Sequence, residues 1–237
     1  MTEQPRALVT GASSGIGLGI AQRLLDEGYA VTGISRRGRV EALDQQAFEP
    51  VCVDLGNLDS LRQTLDSTLA GRDFDCFVHA AGAGHFGSIE QFSVAQIAAS
   101  IQLNLVSGMV ICRTLVPRMR RRGHGRIVFI GSESGTQAGK KGSVYSAAKF
   151  GLRGFSQALR EDCGRDGIAV SLVNPGMVRT PFFDQQNFAP GPLPENAIDV
   201  DDVARIVLQI LESSPDIVID EINLSPRVKS IDFDPGR

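Results

Sequence analysis

The octapeptide TGASSGIG, residues 10 to 17, constrains the fold of this chain more than any other stretch. It follows the apolar run ALVT (7 to 10) without a spacer and leads straight into a segment of helical period. Three glycines in a strand-to-helix turn answer three steric needs. Gly11 permits the tight turn, Gly15 lets the backbone approach a pyrophosphate, and Gly17 lets the helix pack closely on the strand. The free amides where the helix starts, among Ser13, Ser14 and Ile16, and the positive end of the helix dipole complement phosphate charge.

The pattern that begins there repeats along the chain. Short apolar runs alternate with longer stretches of helical period: ALVT, AVTGIS (30 to 35), PVCVD (50 to 54), CFVHA (76 to 80), RIVFIG (126 to 131), AVSLVN (169 to 174) and DIVIDEI (216 to 222). Continuous hydrophobicity within a run marks a strand covered on both faces, as in a parallel sheet. Helices are expected at 15 to 28, 57 to 70, 93 to 122 with a break near Gly108, 144 to 165, and 200 to 213. For the last of these, Asp199 can cap the free amides, and Asp201 and Asp202 favour the positive helix end. The expectation is an α/β fold, a single Rossmann-like domain over 1–237 with a doubly wound parallel sheet of about seven strands flanked by helices. The segment TPFFDQQNFAPGPLPEN (180 to 196), with four prolines and three phenylalanines, breaks the rhythm after the sixth strand. The region 180–198 is expected to form a lid over a ligand.

Charge argues against polyanionic partners. With 24 basic and 27 acidic side chains the formal charge is -3, which predicts neither nucleic-acid nor anionic-membrane binding. The one dense basic run, RMRRRGHGR (118 to 126), falls at a helix end, where cations complement the dipole, and has no interleaved aromatic residues for stacking bases. Cys52, Cys76, Cys112 and Cys163 form no CxxC or Cys/His pair and read as buried free thiols of a reducing compartment, with no metal site. The N-terminus MTEQPRALVTG carries no apolar signal core, and no single apolar run approaches the roughly 20 residues that span a bilayer. A soluble cytoplasmic protein is expected.

YSAAK (145 to 149) supplies the chemistry. On a helix the i, i+4 spacing puts the Tyr145 phenol and the Lys149 ammonium on one face. A phenol titrates near pH 10, and a neighbouring cation would bring it towards neutrality by favouring phenolate. His79, inside an apolar run, reads as a core residue and not as a ligand or base.

The GxxxGxG spacing near residue 10, together with YxxxK, resembles the short-chain dehydrogenase/reductase superfamily, in its short single-domain branch. The resemblance implies a catalytic set of Asn104, Ser132, Tyr145 and Lys149. Ser132 closes RIVFIGS thirteen residues before Tyr145 and would hold the substrate oxygen, with Ser134 the near alternative. Asn104 would support a water that links Lys149 to solvent, and Lys149 would also bind the nicotinamide ribose. Asp54 and Leu55 would meet the adenine, and Ala81 and Gly82 of HAAG (79 to 82), where the family has NNAG, would give close backbone approach. In NPGMVRT (174 to 180), Pro175 and Gly176 would shape a turn beside the nicotinamide while Val178 and Thr180 hold its carboxamide.

At the end of the second strand ISRRG has Ser35 where an NAD-binding chain carries an acidic residue, with Arg36 and Arg37 behind it. Arginine pairs with a 2'-phosphate, so NADP(H) is favoured and NAD(H) left open. The expected activity is interconversion of a carbonyl and a secondary alcohol, on a small molecule lying among His85, Phe86, Gln137, Ala138, Met177, Phe182, Phe183 and Phe188. A non-catalytic dinucleotide-binding regulator is the alternative, although such proteins usually lose the tyrosine or lysine that this chain keeps. Core burial alone could account for apolar Val110, Ile111, Phe150 and Phe155 beside small Ala147, Ala148 and Gly151, while the resemblance implies a homodimer or homotetramer through these two helices.

Overall fold

A computed structural model describes residues 4–38, 40–43 and 46–233. The chain opens with strand β1 (Arg6–Thr10), helix α1 (Gly15–Asp26), β2 (Ala30–Ser35), β3 (Phe48–Cys52), α2 (Leu58–Asp66) and β4 (Cys76–His79). Helices α3 (Val94–Ile101) and α4 (Ser107–Arg122) follow, joined without interruption by one π-helical turn (Gln102–Val106). Next come β5 (Gly125–Ile130), α5 (Ser143–Cys163), β6 (Ile168–Pro175), β7 (Phe188–Pro190), α6 (Val200–Leu211), β8 (Glu221–Leu224) and β9 (Ile231–Phe233).

Seven strands form one parallel sheet in the order β3-β2-β1-β4-β5-β6-β8. The order reverses beside β1, which opens a crevice at the carboxyl ends of β1 and β4, as in doubly wound sheets generally. Side-chain alternation explains why the runs are continuously apolar. Leu8, Phe77 and Phe129 face one layer with Leu61, Ile111 and Leu152 from α2, α4 and α5. Their neighbours Val9, Val78 and Val128 face the other, with Ile20, Leu24, Val203 and Val207 from α1 and α6. Burying a side chain of this size is worth about 1.5–3 kcal/mol.

Three expectations shift. The run read as 216 to 222 supplies a strand only at Glu221–Leu224, because pairing with Leu172–Pro175 of β6 fixes its register, and Ile217 and Val218 are left exposed. The run read at 50 to 54 pairs with β2 over Phe48–Cys52. The break expected near Gly108 is instead the π turn one helical turn earlier, around Asn104; Gly108 serves another purpose, since a Cβ there would meet the His79 ring at 3.0 Å.

The joined run Val94–Arg122 is long and apolar enough, by length and composition, to cross a bilayer, which separate apolar runs did not foreshadow. Within it Ile111, Cys112, Leu115, Val116 and Met119 turn inward onto the sheet. Its basic end is tied to carboxylates: Arg122 and His124 to Asp75, Arg120 to Asp166. Cys52 is exposed, contrary to the expected burial of all four thiols.

Candidate active site

The glycine loop has the geometry its sequence demands. Gly11 and Gly15 take positive φ of 71° and 54°, and a Cβ on Gly17 would lie 2.4 Å from the Gly11 carbonyl oxygen. Ser14 stands at the start of α1 in extended conformation beside half-buried Ser13, while the Ile16 side chain packs into the core, so that only its backbone is offered to a ligand. At the end of β2, buried Ser35 donates its hydroxyl to the Arg37 carbonyl (2.7 Å), and the Cys52 thiol donates to that of Arg36 (3.3 Å). Both arginine side chains are exposed. Asp54 is exposed and accepts from the Gly56 amide (2.9 Å), whereas the Leu55 side chain belongs to the core.

Thr10 is a residue the sequence reading missed. Its oxygen accepts from the amides of Ala80 (3.1 Å) and Ala81 (3.2 Å) and lies 3.0 Å from His79 Nδ1. Two acceptances use both lone pairs, so the hydroxyl proton goes to Nδ1 and the imidazole proton sits on Nε2. Nε2 finds no partner among the described residues, so His79 is a core residue satisfied on one nitrogen only. Burial, followed by the charge of Lys149, lowers its pKa to about 3 and keeps it neutral. The signal was a polar residue closing an otherwise apolar strand.

Through Thr10 the loop after β4 is hung beside the expected set of Asn104, Ser132, Tyr145 and Lys149. Asn104 in the π turn accepts from the Ala83 amide (3.2 Å) and donates to the carbonyls of Ala83 (3.0 Å) and Ser100 (2.9 Å). Helical widening at a functional position is where π turns concentrate. A Cβ on exposed Gly82 would lie 2.8 Å from Asn104 Oδ1 and 3.5 Å from Lys149 Nζ, while Ala81 is buried beside it. Lys149 donates to the Ile130 carbonyl (3.0 Å), and its ammonium lies 5.7 Å from the Tyr145 ring centroid. Ser132, at the end of β5, hydrogen-bonds Tyr145 and accepts from the Ser134 amide (3.1 Å), so Ser134 steadies Ser132 through its backbone.

The expected lowering of the phenol is not what this arrangement gives. Burial raises Tyr145 to about 12, with the Ser132 hydrogen bond as the opposing influence, and burial lowers Lys149 to about 8. Lys149 spends a proton on a backbone carbonyl and the phenol is shut from water, so desolvation dominates both groups.

After β6, Pro175 is buried and the Gly176 amide donates to Leu224 (2.8 Å). Val178 is buried and bridges Ile198, and Thr180 lies against the glycine loop, its Cβ 3.3 Å from where a Gly15 Cβ would stand. The region read as a lid follows. Phe182, Phe183 and Phe188 from it gather with Phe86 around Tyr145, and Gln186 donates to the Gly84 carbonyl (2.8 Å). Its β7 pairs antiparallel with β9, and Gly191 and Asn196 bond the tail at Ser230 and Val228. In the sequence the only trace of this clasp is the short alternation at 231 to 233.

The sheet order, the phosphate-type loop, the buried Tyr145 and Lys149 and the half-buried Ser132 define the class as a Rossmann-like oxidoreductase. The profile of the short chain dehydrogenase family matches residues 5–190, and the chain belongs to that family. It is 34% identical over 188 residues to the uncharacterized oxidoreductase YbbO of Escherichia coli K12, covering 78% of this chain and 70% of that one. It is 33% identical over 189 residues to a 3-ketodihydrosphingosine reductase of Bacteroides thetaiotaomicron, covering 77% and 67%. A metagenomic short-chain oxidoreductase solved in complex with NADP superposes with a TM-score of 0.80 at 29% identity, covering 95% of this chain and 98% of that one.

Proposed function

We propose that the chain is an NADP(H)-dependent oxidoreductase that interconverts a carbonyl and a secondary alcohol. The observation that carries this reading is the convergence of Asn104, Ser132, Tyr145 and Lys149 at the carboxyl ends of β4 and β5, facing the glycine loop across Gly82. The loop fits a dinucleotide, because bare glycines and free amides leave room and polarity for phosphate. A bound nicotinamide dinucleotide supplies the hydride. Arg36 and Arg37, exposed and backed by no carboxylate in ISRRG, favour a 2'-phosphate.

In the reductive direction the Ser132 hydroxyl holds the carbonyl oxygen and the Tyr145 phenol gives that oxygen its proton. A phenol at about 12 is fully protonated at neutral pH, which is the form reduction needs. Lys149 and Asn104 lead towards solvent the route by which Tyr145 is reprotonated, and Lys149 holds the ribose. Copies of the chain associate through the outward face of α5, where Phe150 is 42% exposed beside Ala147.

Tyr145→Phe keeps NADPH binding and loses turnover by about 10³-fold or more in an NADPH-oxidation assay over a panel of carbonyls. Activity near wild type in that variant rejects the mechanism.

A further inference from the structure

Five aromatic rings close a circuit over the Ser132 and Tyr145 pair. Successive centroids are separated by 5.5 Å from Tyr145 to Phe86, 5.0 Å to Phe188, 5.8 Å to Phe183, 5.1 Å to Phe182 and 6.0 Å back to Tyr145. Interplanar angles of 53° to 83° keep each pair tilted or edge-on, the arrangement the ring quadrupole prefers. Tyr145 sits on α5 and Phe86 on the loop after β4, but the other three lie on the segment that ends in β7. Movement of that one segment carries three of the five rings and breaks two of the five ring pairs, Phe86 with Phe188 and Tyr145 with Phe182.

Bare Gly84 is where Phe182 is seated. A Cβ there would lie 2.4 Å from Phe182 Cζ and 2.6 Å from Phe86 Cε2, so the two ring edges meet over the glycine. The Gln186 amide holds the Gly84 carbonyl on the same spot. Among the five side chains the phenol hydroxyl is the only polar atom. A charged or hydroxylated group taken in among them would give up its water without replacement, at a cost of about 1–3 kcal/mol per unpaired hydroxyl and more for a charge. A saturated group would fit the apolar wall but forgo the ring-to-ring attraction of roughly 0.5–1.5 kcal/mol per pair.

Resting on the oxidoreductase reading above, we propose that this circuit is the substrate site and that its substrate is an uncharged carbonyl compound bearing an aryl group. Its oxygen lies at the Tyr145 hydroxyl, and its ring takes the place over Gly84, against Phe86 and Phe183, that Phe182 holds in the closed cleft. The lid segment moves outward by the displacement of Phe182 and closes again on the aryl ring.

The test uses the full chain with NADPH and three probes: acetophenone, cyclohexyl methyl ketone of the same size, and fructose. The expected kcat/KM for acetophenone exceeds that for the cyclohexyl ketone by about 10-fold and that for fructose by about 100-fold or more. Phe86→Leu, or Phe188→Leu should the first variant not fold, brings the ratio of kcat/KM for acetophenone to that for the cyclohexyl ketone down towards one. Equal ratios, or an advantage that survives both substitutions, overturn the proposal. Binding followed by saturation-transfer NMR separates the two levels. Should no ketone be reduced, the oxidoreductase reading fails, while acetophenone saturation that disappears in Phe86→Leu still upholds the aryl site, and no saturation in the wild-type chain refutes it.

Discussion

At the scale of single residues, buried polar groups carry the site and their energetics can be tested. Thr10→Val keeps the shape but deprives the Ala80 and Ala81 amides and His79 Nδ1 of their shared partner. Each buried group left unpaired costs about 1–3 kcal/mol, so denaturant unfolding should record a loss of about 3 kcal/mol or more. Nitrogen-15 NMR of the wild-type imidazole should show the Nε2–H tautomer, and a protonated ring at neutral pH would contradict the assignment. Lys149 is protonated below pH 8 in both folded and unfolded chains, and its burial then weighs fully against folding. Between about 8 and the ordinary 10.5 the folded chain gives up a proton that the unfolded chain keeps, so stability from this group rises with pH. Lys149→Met should therefore be more stable than wild type by about 3 kcal/mol at most near pH 7, with the difference shrinking towards pH 10.5. A pH-independent difference would show that Lys149 is not desolvated. Tyr145 and Lys149 were legible because an i, i+4 spacing puts both on one helix face, and Ser132 because the end of RIVFIGS matches the family pattern. Thr10 was not, because its partners are amides whose positions only the sheet fixes.

Elements position these groups, and they were legible to different degrees. Runs such as AVTGIS became a strand over the same residues because both its faces are covered. The final strand moved to Glu221–Leu224 because a neighbour sets register, and no local pattern encodes the neighbour. For the same reason β7 and β9 went unread, each only three residues long and 43 positions apart from one first residue to the other. The turn after β2 gives a prediction of its own. There the buried Ser35 hydroxyl holds the backbone at Arg37, and both arginine side chains are exposed. Replacing Arg36 and Arg37 together by serine should weaken NADPH by about 10- to 100-fold, the loss of one or two charge-assisted hydrogen bonds, and leave NADH unchanged in a fluorescence titration. An equal loss for both dinucleotides would assign the arginines to something other than the 2'-phosphate.

On the scale of the whole molecule, the sheet divides the work. Its α1 and α6 side and its α2, α4 and α5 side build two cores, and the proposed site lies at the crevice between the β1 and β4 ends. Apolar surface remains on the outside: Phe150 on α5 is 42% exposed and Val94 at the start of α3 is 84% exposed. Phe150→Arg should lower the mass seen by light scattering towards that of one chain while NADPH binding persists, and an unchanged mass would move the association to another face. The ring circuit has a consequence for how the protein can be watched. The chain contains no tryptophan and two tyrosines, and one of those, Tyr145, is a member of the circuit while the other, Tyr29, lies at the far end of β2. One of the two tyrosine emitters therefore lies in the ring circuit, so label-free ultraviolet emission should change when the segment carrying Phe182 moves.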